Sequence, residues 1–170
     1  IPEHWISYPA AAALIGRLQG MLEAPRTERM RNLVIYGPTN NGKTSLVRRF
    51  EELNPPDPRP GSDASGVPVV RVQVPAPASE GSFYDAILAK FTSPARPRDP
   101  AAYKRSQVVA HLAACETRIL VLDEIHHLLA TDRARARAMA SMIKSLGNEL
   151  QMPVAVVGTP EALAAIRADD

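Results

Sequence analysis

Leu33-Val34-Ile35-Tyr36-Gly37-Pro38-Thr39-Asn40-Asn41-Gly42-Lys43-Thr44-Ser45 decides how the rest of the chain is read. An apolar run ends in a glycine, and from Gly37 to Thr44 the residues satisfy G-x-x-x-x-G-K-[ST] at every fixed position. A loop that wraps a phosphate must turn its backbone N–H groups inward, and glycines permit the angles and the close approach this needs. Lys43 supplies a point charge for the β- and γ-phosphates, and the Thr44 hydroxyl is a ligand for Mg2+. The next stretch, from Ser45, carries Leu46, Val47, Phe50 and Leu53 at helical spacing, so a helix start adds its positive dipole end to the loop. Gly37, Pro38, Thr39, Asn40, Asn41, Gly42, Lys43, Thr44 and Ser45 are therefore predicted to hold a nucleoside triphosphate.

A second element supports this. Ile119-Leu120-Val121-Leu122 is a short apolar run that ends in Asp123-Glu124, as a strand buried on both faces would. Two adjacent carboxylates at a strand end suit a division of labour: Asp123 holds Mg2+ through its water shell, and Glu124 polarises the water that attacks the γ-phosphate. The alternative is that they stabilise the start of the next helix.

Length and composition bound the class. At 170 residues with 45% hydrophobic content, the chain can bury one substantial core. No apolar stretch approaches the roughly 20 residues of a membrane span. Cys115 is the single cysteine, so no intrachain disulfide forms and a reducing, cytoplasmic setting is expected. The net charge of +2 does not announce nucleic acid. The chain starts at Ile1 rather than Met, which reads as an excised piece of something longer.

Leu14, Leu18, Met21 and Leu22 predict a helix over Ala10–Glu23, followed by a basic turn with Arg26, Arg29 and Arg31. The proline-rich stretch Asn54–Pro68 is a loop, and Val69–Val74 alternates like a strand. Helices are predicted over Ser82–Phe91 and Pro100–Cys115, separated by basic, proline-rich residues. Another is predicted over Arg133–Leu150, with Met139, Met142, Ile143, Leu146 and Leu150 inward. A fourth strand spans Pro153–Val157, and a last helix starts at Gly158-Thr159-Pro160-Glu161. Strands alternating with helices give an α/β fold, a parallel sheet with helices on both faces.

Thr159 falls where the fourth strand would end beside the phosphate loop. Its hydroxyl either senses the γ-phosphate and the attacking water or caps the helix before Pro160. His126 and His127 are adjacent, so on a helix they point about 100° apart and are not expected to chelate one metal. H-E-x-x-H is absent, and no zinc is expected.

The phosphate loop, the block Leu122-Asp123-Glu124-Ile125-His126-His127-Leu128-Leu129, and Lys144-Ser145-Leu146-Gly147-Asn148-Glu149-Leu150 followed by Val156-Val157-Gly158-Thr159 together resemble the AAA+ ATPases of the TniB and TnsC type, regulators of DNA transposition. The last block is the most specific part. The resemblance implies a P-loop NTPase (AAA+) core over residues 1–170, with 1–32 as an N-terminal helical lead-in. It implies ATP and Mg2+ as cofactors, a homo-oligomeric ring or filament on double-stranded DNA in the ATP state, recruitment or activation of a transposase, a TniQ-like target-selection partner, and the bacterial cytoplasm. Lys43 and Thr44 match Walker A, Asp123 and Glu124 match Walker B, and Thr159 matches sensor 1. Lys43, Glu124 and Thr159 are thus the catalytic candidates, and Thr44 and Asp123 the metal ligands.

AAA+ modules also carry a fifth strand and a helical lid with a second sensor arginine. The chain stops at Asp170, truncated before the lid, so weak nucleotide binding and poor hydrolysis are expected of it alone. Arg133, Arg135 and Arg137 are candidates for an arginine supplied to a neighbouring subunit, a contribution worth about 10³ to 10⁵ in rate. For DNA contact, Arg96, Arg98, Lys104 and Arg105 are nominated by position and charge; an ordinary solvated cluster is the alternative. Asn-Lys-x-Asp is absent, which favours ATP over GTP. A helicase loader or replication initiator shares the same core and is the nearest rival, followed by a protein-only signalling switch.

Overall fold

Ile119–Asp123, here β3, is buried at all five positions, as a run without alternation demands of an inner strand. The structure, a computed structural model, describes residues 9–58, 65–91, 96, 98–129 and 133–160. Along the chain these form α1 (Pro9–Glu23), β1 (Leu33–Tyr36), α2 (Lys43–Leu53), β2 (Val69–Gln73), α3 (Glu80–Leu88), α4 (Ala101–Ala114), β3, α5 (His126–Leu129), α6 (Arg133–Glu149) and β4 (Val154–Gly158). The sheet order is β1-β4-β3-β2, and every pairing is parallel.

Side-chain alternation along β3 divides the core. Ile119 and Val121 join Leu18, Leu46, Val47 and Phe50 on the face covered by α1 and α2. Leu120 and Leu122 join Phe83, Ile87, Val108, Leu112, Ile143 and Leu146 on the face covered by α3, α4 and α6. The sheet is thus covered on both sides, and all its strands end on the same edge.

The expected elements appear with small shifts. The helix expected from Ser82 starts at Glu80, because Ser79 and Ser82 form a reciprocal cap in which each backbone N–H donates to the other's hydroxyl. It ends at Leu88, and Ala89–Phe91 tightens into a 3-10 turn. α6 carries Met139, Ile143 and Leu146 buried as predicted, and Leu150, just past its end, is buried as well. Gly147 has a packing reason: an added Cβ would meet the Met152 carbonyl at 3.0 Å and Val154 at 3.1 Å. The helix expected from Gly158-Thr159-Pro160-Glu161 lies outside the described residues beyond Pro160, as do 59–64 of the proline-rich loop and 92–95 and 97 of the basic connection.

Candidate functional site

β1, β3 and β4 end side by side, and the segments after them form one cleft. Its volume is about 340 Å3, and its walls are Thr39 to Ser45 of the loop after β1, Glu124 and His126 after β3, and Gly158 and Thr159 at the end of β4. Sheet order brings this about, since β4 lies between β1 and β3. Two backbone hydrogen bonds fasten the segments: Gly37 N–H to the Gly158 carbonyl, 3.3 Å, and Ile125 N–H to the Val157 carbonyl, 2.9 Å.

The loop has the backbone its glycines allow. Gly42 has φ 73° and Asn40 has φ 61°, both in the left-handed region that glycine and asparagine tolerate best. α2 begins at Lys43, immediately after Gly42, and its N-terminus with the positive end of its dipole faces the cleft. Lys43 Nζ donates to the carbonyls of Gly37 at 2.7 Å and Pro38 at 2.5 Å, which folds the ammonium over the loop it would serve.

Glu124 has φ 60°, a strained value for a residue with a side chain. Its N–H donates to Asp123 Oδ1 at 3.0 Å, and its carbonyl accepts from His127 N–H. Asp123 is only 2% exposed, and Glu124 lines the cleft. Asp123 lies behind Glu124 and is not itself on the cleft wall. Thr44 and Thr159 are both half-buried and on the wall.

The donor set suits the expected cofactors. A glycine-bearing loop, an ammonium and a helix start fit a triphosphate, and a hydroxyl with a buried carboxylate gives the oxygen ligands that Mg2+ prefers. Held there, Mg2+ would neutralise phosphate charge, with Thr44 and Asp123 as its protein ligands.

Of the residues nominated for DNA contact, Lys104 needs correction, and Arg105 already holds a partner. Lys104 is buried, and its Nζ is paired with Asp85 Oδ2 at 2.7 Å; burying an ammonium requires such a partner. Arg105 bridges from α4 to Glu149 of α6, and that hydrogen bond is the main reason its pKa is raised. Arg96 and Arg98 are exposed, with the backbone N–H of Arg96 donating to Asp99. Arg135 and Arg137 are exposed on α6.

The expectation that the adjacent histidines point apart also fails. Their ring centroids are 4.4 Å apart, because His126, at the first position of a four-residue helix, turns back to Glu124 while His127 leans onto the Val74 carbonyl. The place of His126 on the cleft wall was missed in the sequence. Its position two residues after Glu124 was the available signal.

Among the described residues, no helix is long and apolar enough to cross a membrane. The family described as bacterial TniB protein matches residues 2–170. Comparison with curated proteins finds no match. Among solved structures, the chain is similar to the Aeropyrum pernix ORC2 protein in its ADPNP–ADP complexes (TM-score 0.65, 18% identity, 98% of this chain and 44% of that one). It is similar also to the Aeropyrum pernix ORC1 protein in complex with DNA (0.63, 21%, 96% and 43%) and to a DNA replication initiation factor (0.50, 10%, 98% and 46%). The fold is therefore the P-loop core of AAA+ proteins, and the chain spans less than half the length of these structures.

Proposed function

The chain belongs to the bacterial TniB protein family, and from that premise and the cleft we propose that it is an ATP-hydrolysing AAA+ regulator of DNA transposition. The carrying observation is the convergence on one cleft of Lys43, Thr44, Glu124 and Thr159 from three separate strand ends. Backbone N–H groups of Gly37–Ser45 and the Lys43 ammonium bind and orient the phosphates. Thr44 and Asp123 hold Mg2+. Glu124 accepts a proton from the attacking water, and the Thr159 hydroxyl reports the state of the γ-phosphate to β4.

In this reading the ATP-bound chain assembles as a ring or filament on double-stranded DNA and recruits or activates a transposase in the bacterial cytoplasm, with a TniQ-like protein choosing targets. The likeness to an ORC1 structure in complex with DNA supports DNA as ligand, through a shared fold. Arg96 and Arg98 are the remaining nominated cations for phosphate contact, which would carry little sequence information.

The test is the anisotropy of a fluorescent duplex titrated with full-length protein carrying a non-hydrolysable ATP analogue, ADP or no nucleotide. Cooperative, length-dependent binding with the analogue alone is expected. No binding in any state would overturn the DNA role and leave a protein-only switch.

A further inference from the structure

Beside the phosphate loop, Glu124 stands with two histidines to which the ATPase reading gives no role. Glu124, His126 and His127 each offer one ligand atom such that all three lie within 4.8 Å of one another. His126 Nε2 stands 3.2 Å from Glu124 Oε2. His127 Nδ1 lies 2.9 Å from the Val74 carbonyl oxygen; a carbonyl can only accept, so Nδ1 carries the proton and the lone pair of Nε2 is left for another partner. Anchoring one ring nitrogen on a carbonyl while the other faces a metal is the usual arrangement of a metal-ligating histidine.

We propose that Glu124, His126 and His127 form a site for Zn2+, separate from the Mg2+ position given to Thr44 and Asp123. One carboxylate with two imidazoles is a donor set that Zn2+ takes, with water in the fourth place. Mg2+, which demands octahedral oxygen ligands, is a poor fit. Bond lengths near 2.1 Å in a tetrahedron put donors about 3.4 Å apart, so the cluster closes by side-chain rotation. β3 and β2 hold it from two sides: Glu124 follows Asp123, and Val74, the anchor of His127, follows Gln73, which pairs with Asp123 in the sheet.

The consequence rests on the ATPase reading. Zn2+ would occupy the carboxylate that polarises the attacking water and leave the phosphate loop untouched. The ion is then a brake: it stops hydrolysis and prolongs the ATP-bound state.

The experiment has two arms. Zn2+ is titrated calorimetrically into full-length protein free of nucleotide and Mg2+, as wild type, His126→Ala and His127→Asn. Asparagine keeps a donor for the Val74 carbonyl but lacks the distal nitrogen, so it preserves local packing. One Zn2+ per chain is expected, with each substitution weakening binding at least about tenfold, the loss that removal of even an outer-shell partner produces. No binding at millimolar Zn2+, or equal affinity in all three proteins, overturns the site. In the second arm, wild-type hydrolysis with Mg2+ should fall on adding Zn2+ and recover with a chelator, and His127→Asn should resist the inhibition. Zn2+ that binds but leaves wild-type hydrolysis unchanged overturns the brake. Failure of the ATP reading appears separately, as absent ATP-analogue binding in protein that still takes up Zn2+.

Discussion

The two edges of the sheet treat their polar groups differently. At the edge where strands begin, cations and amides are spent on the protein itself. Arg26 donates to the carbonyls of Thr117 and Leu150, at 3.2 and 3.0 Å, and Arg118 donates to those of Leu22 and Ala24, at 3.2 and 2.6 Å. Asn32 accepts from the N–H of Val154. These carbonyls lie at or just past the ends of α1, α4 and α6, where helix geometry leaves acceptors without partners and the dipole is negative. At the edge where strands end, Lys43, Thr44, Glu124 and Thr159 face a cleft instead. The backbone differs in the same way. Glu116 and Gln151, at the first edge, have positive φ because each sits one residue beyond a helix cap: the N–H groups of Glu116 and Thr117 return to the carbonyls of Ala113 and Leu112, and those of Gln151 and Met152 to Asn148 and Gly147, as in the Schellman motif. Glu124 has positive φ with no helix end to explain it. The first edge spends these groups on helix ends, beside a cavity of about 520 Å3 whose lining includes Arg17, Arg29 and Arg31; the second turns its groups toward the cleft of the phosphate loop.

Three substitutions would break the contrast if it is wrong. Lys43→Ala, at the cleft edge, should weaken ATP binding by about 10²-fold or more, the scale of losing a charge partner in a bound complex, with unfolding unchanged. A fluorescent-nucleotide titration reads this, and an unaltered dissociation constant sinks the phosphate-loop assignment. Glu124→Gln should keep nucleotide binding and cost at least about 10² in hydrolysis rate, since general-base help is worth about 10² to 10⁴. Phosphate release by the full-length variant at the wild-type rate would remove Glu124 from catalysis. Arg118→Met, at the edge where strands begin, should do the reverse: destabilise by about 2 kcal/mol in denaturant unfolding, from lost charged hydrogen bonds, with ATP affinity unchanged. A large affinity loss there would mean the edges are coupled.

Where the residues of the cleft edge gather was mostly legible in the sequence, because the motifs are local: Gly37–Ser45 and Asp123-Glu124 each follow an apolar run that becomes a strand. The buried strand Ile119–Leu122 was legible for the same reason. What escaped was set by distant contacts. Lys104 reads as a surface cation until Asp85, on the neighbouring helix, is seen to neutralise it. Arg26 reads as one charge of a basic turn, yet its acceptors are 91 and 124 residues away; nothing local marks Arg118, whose acceptors are 94 and 96 residues away. The histidine pair was misjudged by applying regular-helix geometry to the start of a four-residue helix.

The smallest predicted effect separates the two kinds of positive φ most sharply. Glycine has no Cβ to clash in the left-handed region, so Glu124→Gly and Glu116→Gly should each stabilise, by about 1 kcal/mol, measured by chemical unfolding. At Glu116 glycine is the residue the helix-end motif prefers, and ATP hydrolysis should be untouched. At Glu124 the same relief removes the carboxylate and hydrolysis with it, so this protein would gain stability by losing its chemistry. Glu124→Gly that is less stable than wild type would show that Glu124 is held by its contacts rather than strained by them, and the distinction between the edges would then rest on side chains alone.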